Sequence, residues 1–75
     1  MNERRYLVVI EGQRGSNYSA YAPDLPGCVA TGATLEECQR EIRAAVAFHV
    51  DGLREAGEAV PDPSDITAMF VSVAA

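Results

Sequence analysis

The side chains best suited to nucleophilic or acid–base chemistry in this sequence are one histidine, His49, and two cysteines, Cys28 and Cys38. Nucleophilic catalysis needs a nucleophile held beside a base. His49 lies on the apolar stripe of a predicted helix, where a lone histidine is more often packed and hydrogen-bonded than catalytic. The two cysteines match no zinc-finger spacing, and their pattern favours small buried thiols without a disulfide. We therefore expect no enzyme activity, no metal site and no cofactor.

Carboxylates are the other chemistry-bearing side chains. Metal-assisted hydrolysis of a nucleic acid needs several of them around one or two cations. The predicted strand region supplies Glu11 and Asp24, whereas most other acids fall on or after the predicted helix, interleaved with Arg40 and Arg43 as on a solvated face. The spacing predicts no two-metal site, and no glycine-rich phosphate loop is present in the sequence.

The charge balance separates the two halves of the chain. The 75 residues carry six arginines, no lysine and eleven acids, for a net charge of −5, all of it in residues 34–75. A nucleic-acid-binding surface is usually basic, so this balance argues against direct DNA or RNA binding and favours a basic protein partner. No apolar run approaches the roughly 20 residues of a membrane span, and no export signal is recognisable. We expect one domain over residues 1–75 and a cytoplasmic location.

The elements that would position these residues are three short strands and a final one around a helix. The β-branched and aromatic runs predict strands over residues 6–10, 18–22, 28–31 and 66–73. Thr34 followed by Glu37 is a capping box, with the Thr34 hydroxyl accepting the Glu37 N–H and the Glu37 side chain returning to Thr34. Apolar residues then recur at three- and four-residue steps, which predicts a helix over residues 35–56 that ends at Gly57. The order is β-β-β-α-β, an α+β fold with a mostly antiparallel sheet and one long helix on one face.

Two of the predicted strands are apolar on both faces. In the first strand, Val8 and Ile10 alternate with Leu7 and Val9, and residues 66–73 show the same double pattern. One helix covers one face of a sheet, so the second face is either half-exposed or an interface. The sequence favours the interface, formed by a homodimer or tetramer or by a dedicated protein partner.

Several of these residues also stand in a familiar order. Pro-Asp-Leu-Pro-Gly-Cys occupies residues 23–28, Gly32 follows, and Thr-Leu-Glu-Glu occupies residues 34–37 before the long helix. This arrangement resembles the HicB antitoxin family, over residues 6–73. The resemblance implies a partial ribonuclease-H-like fold and a role as an antitoxin that binds and masks HicA, a small basic toxin that cleaves messenger RNA. Many family members add a C-terminal DNA-binding module, and from the end of this chain at Ala75 we expect none here.

The resemblance also nominates partner-binding residues. The loop carrying the motif and the acidic helix face are the expected contact regions, namely Asp24, Leu25, Pro26, Gly27, Cys28, Glu37 and Glu41. The alternative for Asp24 is an Asx-type turn that holds the loop before Pro26. Two alternatives to the antitoxin role stay open, a self-assembling domain without a toxin and a vestigial nuclease or nucleic-acid-binding domain.

Overall fold

Residues 3–75, which the computed structural model describes, form a three-stranded antiparallel sheet followed by one long helix. The elements are β1 (Val9–Gly12), β2 (Tyr18–Tyr21), β3 (Val29–Gly32) and α1 (Leu35–Glu55), with the strands in the order β1-β2-β3. The predicted α+β class with the helix after three strands is confirmed.

The sheet register sorts the side chains into two layers. Ile10, Ala20 and Ala30 align across the three strands and point toward α1, which packs mainly on β3 and secondarily on β2. Val9, Tyr21 and Val29 form the neighbouring row, so they point to the face away from the helix. The small side chains on the inner face allow the helix to approach closely, and the outer row leaves an apolar strip on the open face.

Small residues dominate the buried core. Its fully buried members come from β2, the following loop and α1, and they are Ala20, Ala22, Leu25, Cys28, Cys38 and Ile42. Gly32 lies directly against the first turn of the helix, where an added Cβ would stand 2.5 Å from the Cys38 backbone nitrogen. The close contact between β3 and α1 therefore depends on glycine at this position.

The two ends of α1 follow the sequence prediction closely. The Thr34 hydroxyl accepts a hydrogen bond from the Glu37 N–H at 3.1 Å, whereas the return bond from the Glu37 carboxylate is not formed within residues 3–75. At the other end, the Gly57 N–H donates to Arg54 O at 3.1 Å and the Glu58 N–H to Leu53 O at 2.9 Å. With Gly57 at φ +71°, these bonds form a Schellman motif that ends the helix.

The predicted strand over residues 66–73 is not formed in the described chain. This segment continues from α1 without joining the sheet, and its large apolar side chains are exposed. A strand needs a neighbouring strand to pair its backbone groups, and none lies beside these residues within residues 3–75. The first strand is displaced from the predicted residues 6–10, because its ladder with β2 runs from Val9 to Gly12.

Candidate partner-binding site

The loop of residues 23–28 is built from two overlapping turns. The Leu25 N–H donates to Ala22 O and the Cys28 N–H to Leu25 O, each at 3.0 Å, and Gly27 adopts φ +84°. Leu25 has no exposed surface and Cys28 is buried beside it in the core, whereas Pro26 and Gly27 are exposed at the tip. Leu25 and Cys28 therefore anchor the loop, and its tip is the part that a partner can reach.

Burial also sets the chemistry of Cys28. Desolvation raises the pKa of its thiol, which keeps the sulfur protonated and poorly reactive. Cys28 and Cys38 are both free thiols in the core. The prediction that the two cysteines are small buried residues is confirmed.

Asp24 joins the loop to the segment that follows the helix. Its carboxylate accepts hydrogen bonds from the Ser64 N–H at 2.8 Å and from the Ser64 hydroxyl. The hydroxyl and the N–H of Ser64 hold the pKa of Asp24 below its ordinary value of 3.8. The Asx-type turn expected for this residue is replaced by these bonds to a residue forty positions later in the chain.

Two further contacts fasten the same segment to the start of the chain. The Tyr6 hydroxyl donates to Pro61 O at 2.5 Å, and the Arg4 guanidinium donates to Val60 O at 3.1 Å. Arg4 also faces Asp62 at 3.4 Å, but both side chains are well exposed, so this ion pair contributes little. We call the three hydrogen-bonded contacts, Asp24–Ser64, Tyr6–Pro61 and Arg4–Val60, the clasp.

The acidic positions on the helix differ in their surroundings. Glu37 is half-buried at the capped N-terminus of α1, whereas Glu41 is exposed one turn later. Glu41 lines an open groove of about 540 Å³ between β3 and α1. This β3 groove is formed by Val29, Ala30, Thr31, Glu41, Ala44, Ala45 and Phe48.

Six of the seven residues of the β3 groove, all except Glu41, were not among the predicted contacts, and two of the six are large and apolar. The Val29 side chain is 66% exposed and the Phe48 side chain 82% exposed, although both are large and apolar. The sequence signal for Phe48 is its position off the core stripe of α1, since it shares a helix face with Glu41 and Ala44 at four- and three-residue steps. An aromatic residue on that face has no core to enter and is available for a contact.

The structure thus divides the seven predicted contact residues among different environments. Asp24 belongs to the clasp, Leu25 and Cys28 to the core, and Pro26 and Gly27 to an exposed tip that leads directly into β3. Glu41 lies in the β3 groove, and Glu37 at the helix cap. Exposed apolar groups beside a carboxylate suit a protein partner with a basic rim.

Three further features bear on metal binding, catalysis and membrane insertion. Within residues 3–75, no group of three or more histidine, cysteine or acidic side chains is placed to hold a metal ion. His49 is half-buried on α1. Across the same residues, no helix is both long enough and apolar enough to cross a membrane.

Comparison with known proteins points in one direction. Residues 6–73 match a family model described as the HicB_like antitoxin of bacterial toxin–antitoxin systems. The chain is 34% identical over 61 residues to an uncharacterized 14.9 kDa protein of Haemophilus phage HP1, an alignment that covers 81% of this chain and 45% of the phage protein. It thus spans just under half the length of that relative.

Two further relatives are closer to this chain in length. A UPF0150 protein of Thermoplasma acidophilum is 30% identical over 57 residues, covering 76% of this chain and 83% of the relative. A UPF0150 protein of Synechocystis is 32% identical over 56 residues, covering 75% of this chain and 71% of the relative. An aligned stretch of this length in a chain of 75 residues includes β3 and α1, which frame the β3 groove.

Proposed function

The chain belongs to the HicB-like antitoxins of bacterial toxin–antitoxin systems, and we propose that it masks a HicA-like toxin by binding it at the β3 groove. The toxin in this proposal is a small basic protein that cleaves messenger RNA. The antitoxin performs no chemistry of its own and blocks access of RNA to the toxin. Because messenger RNA is the target, the complex acts in the cytoplasm.

The observation that carries the choice of surface is Phe48, exposed on α1, with Val29 exposed on the neighbouring edge strand β3, where it points to the open face of the sheet. Aromatic and aliphatic groups at the centre of a contact supply most of its binding free energy when water is excluded around them. Phe48 stands 82% exposed at the β3 groove, and the small side chains of Ala44 and Ala45 leave space beside it for an inserted group. These features support a docked protein partner over a small-molecule ligand.

Charge supports a basic partner. The net charge of the chain is −5, and Glu41 lies in the groove itself. Opposite charge on the partner would steer the encounter and raise the rate of association, with an effect that declines as salt screens it. The exposed loop tip, Pro26 and Gly27, runs into the end of the groove at Val29 and is available to extend the contact.

The test uses the purified chain and the product of the small gene adjacent to its own. Cleavage of a labelled messenger RNA by that product is measured with and without the chain, and the mass of the mixture is measured by light scattering. We expect a stable complex and loss of cleavage. Phe48→Glu places an uncompensated charge in the groove and should weaken binding by at least roughly thirtyfold.

A charge-matched control separates the groove from general electrostatics. Glu41→Lys reverses the charge in the groove, whereas Glu58→Lys makes the same change at an exposed residue after the helix. We expect Glu41→Lys to weaken binding clearly more than Glu58→Lys. Equal effects of the two variants, with Phe48→Glu still fully protective, would locate the toxin elsewhere on the chain.

A further inference from the structure

Residues 66–73, which we call the C-terminal arm, are the largest exposed apolar feature of the molecule. The exposed large side chains of the arm are Ile66, Met69, Phe70, Val71 and Val73, and Phe70 has no shielding at all. Soluble monomers rarely expose apolar groups in such a continuous run, and runs of this kind mark contact surfaces. The arm also makes no backbone–backbone hydrogen bond to any other part of residues 3–75.

The accessible surface of the chain is larger than that of a compact chain of the same mass. Its accessible surface is 6184 Å². A compact chain of this mass would expose about 4,500 Å², which leaves a surplus of about 1,700 Å². A stable protein interface takes about 800 Å² from each partner. The radius of gyration, 14.3 Å, likewise exceeds the roughly 11 Å of a compact chain of 75 residues.

Strand β1 is an edge strand to which a further strand could be added. This strand pairs with β2 on one side and has no strand on its other side within the described residues. Residues 7–10, which lead into β1 and form its first half, are apolar on both faces, with Val8 and Ile10 opposite Leu7 and Val9. This pattern is typical of an interior strand and not of an edge. Strand β3, the other edge, alternates larger residues with the small Ala30 and Gly32 and lacks this double pattern.

A groove beside β1 could accept apolar side chains of an added strand. Because α1 packs on β3 and β2, it leaves an open groove of about 340 Å³ next to β1. Apolar side chains dominate its lining, which consists of Tyr6, Val8, Ile10, Gln39, Ile42, Arg43 and Val46. A strand added at β1 would place alternate side chains into this groove and onto the open face beside Val9. Both alternate sets of the arm are apolar at three of their four positions, the exceptions being Thr67 and Ser72.

We propose that the C-terminal arm of one protomer adds as a fourth strand to β1 of a second copy, and that the exchange is reciprocal. The clasp fixes residues 60 and 61 beside the start of the chain and residue 64 beside Asp24, so the arm begins two residues after its last hydrogen-bonded contact. Ile66 and Thr67 line an open cavity with residues 3–8, on the approach to β1. Eight residues at about 3.3 Å each span about 26 Å, enough to cover β1 and the residues that lead into it. Reciprocal exchange about a twofold axis pairs both arms and covers the β1 edge of each sheet.

Exchange of the arm would form the predicted β-β-β-α-β order across two copies. It concerns self-association and does not rest on the antitoxin role, so it is tested with no toxin present. Sedimentation equilibrium of the purified chain should give about 16 kDa, twice the 8.0 kDa of one chain, or an even multiple of it. Phe70→Glu should weaken self-association at least roughly thirtyfold.

A matched control distinguishes the arm from exposed aromatic surface in general. Phe48→Glu makes the same substitution at the other exposed phenylalanine, on α1, and should leave the mass at 16 kDa. Circular dichroism of each variant checks that α1 is retained. A wild-type mass of 8 kDa, or a dimer that survives Phe70→Glu, would overturn the proposal, the latter by assigning self-association to another surface.

A second measurement needs no variant. Equal amounts of isotopically labelled and unlabelled chain are refolded together, and contacts between unlike copies are selected by filtered nuclear Overhauser spectroscopy. We expect contacts between the methyl groups of Val71 or Val73 in one copy and those of Val8 or Ile10 in the other. Arm contacts confined to one copy, or arm contacts that appear only when a toxin is added, would overturn the exchange.

Discussion

Two apolar regions of this chain have opposite fates. In the folded half, residues 18–42, the apolar side chains of the loop and the helix converge on Leu25 and Cys38, both without exposed surface. In the arm, residues 66–73, side chains of similar character stand in solvent. The difference lies in what surrounds each segment, because the first has β2, β3 and α1 around it. The second makes no backbone hydrogen bond to the rest of residues 3–75, and its first two residues, Ile66 and Thr67, line an open cavity with residues 3–8. An apolar pattern in the sequence therefore predicts that a segment will be buried, but it does not tell which part of the protein, or which partner, will cover it.

The largest effect is expected where the loop enters the core. Leu25→Ala removes a side chain with no exposed surface and leaves a cavity among small neighbours that cannot collapse to fill it. We expect a loss of about 2–5 kcal/mol in the free energy of unfolding. Urea denaturation at one fixed protein concentration measures this loss, since self-association would add a concentration dependence.

A leucine of the same helix–loop region serves as the control for that variant. Leu35→Ala makes the same truncation at a side chain that is 39% exposed, at the start of α1. We expect a loss of roughly 1 kcal/mol or less. Equal losses at the two positions would contradict the distinction between a loop anchored in the core and a helix start at the surface.

The second effect tests the close contact between β3 and α1. Gly32→Ala would place a Cβ 2.5 Å from the Cys38 nitrogen and 2.8 Å from its Cα, so the strand and the helix must separate. We expect a loss of about 1–3 kcal/mol, measured by thermal or urea unfolding. Gly52→Ala, inside α1 with no atom within 4 Å of the added Cβ, should instead stabilise the chain by about 0.5–1 kcal/mol. A neutral Gly32→Ala would show that β3 and α1 adjust freely.

Much of the fold follows from local sequence signals. The helix limits come from Thr34, Glu37 and Gly57, whose roles are fixed by bonds within a few residues, and they are predicted to within one residue. The strand pairing of residues 18–22 and 28–31 follows from turn signals of the same short range. The arm is different, because its strand pattern and that of the first strand are both recognisable in the sequence, whereas no local signal tells whether the two pair within one copy or between two copies.

The site was predictable to a smaller degree. Glu41 lies in the β3 groove, but Phe48 lines the same groove. Phe48 reaches the groove because of the way α1 crosses β3, and no sequence motif indicates that position. The bonds from Asp24 to Ser64 join residues forty positions apart, and no local rule connects them. Contacts of this length depend on where the chain returns after the helix, which spacing along the sequence does not encode.

The smallest expected effect is a change in the pKa of Asp24, in the clasp, which lies between the folded half and the arm. The pKa of Asp24 is held below 3.8 because the carboxylate accepts two hydrogen bonds from Ser64. A depressed native pKa means that the clasp contributes stability above the ordinary value and loses that contribution as the pH falls through the native pKa. Carbon-13 NMR of the Asp24 carboxyl group should show titration below 3.8, with the Ser64 amide shift following the same curve.

Ser64→Ala removes the hydroxyl donor and should raise the pKa of Asp24 toward its ordinary value while leaving the urea midpoint nearly unchanged, because the carboxylate is on the surface. Ser72→Ala deletes an equivalent hydroxyl in the arm, beyond the reach of Asp24, and should leave the Asp24 titration where it was. If the two variants shifted the titration equally, the clasp would not be what holds residues 60–64 to the folded half. A shift confined to Ser64→Ala would assign the low pKa of Asp24 to the clasp and would make Ser64 the last residue hydrogen-bonded to the folded half before the arm.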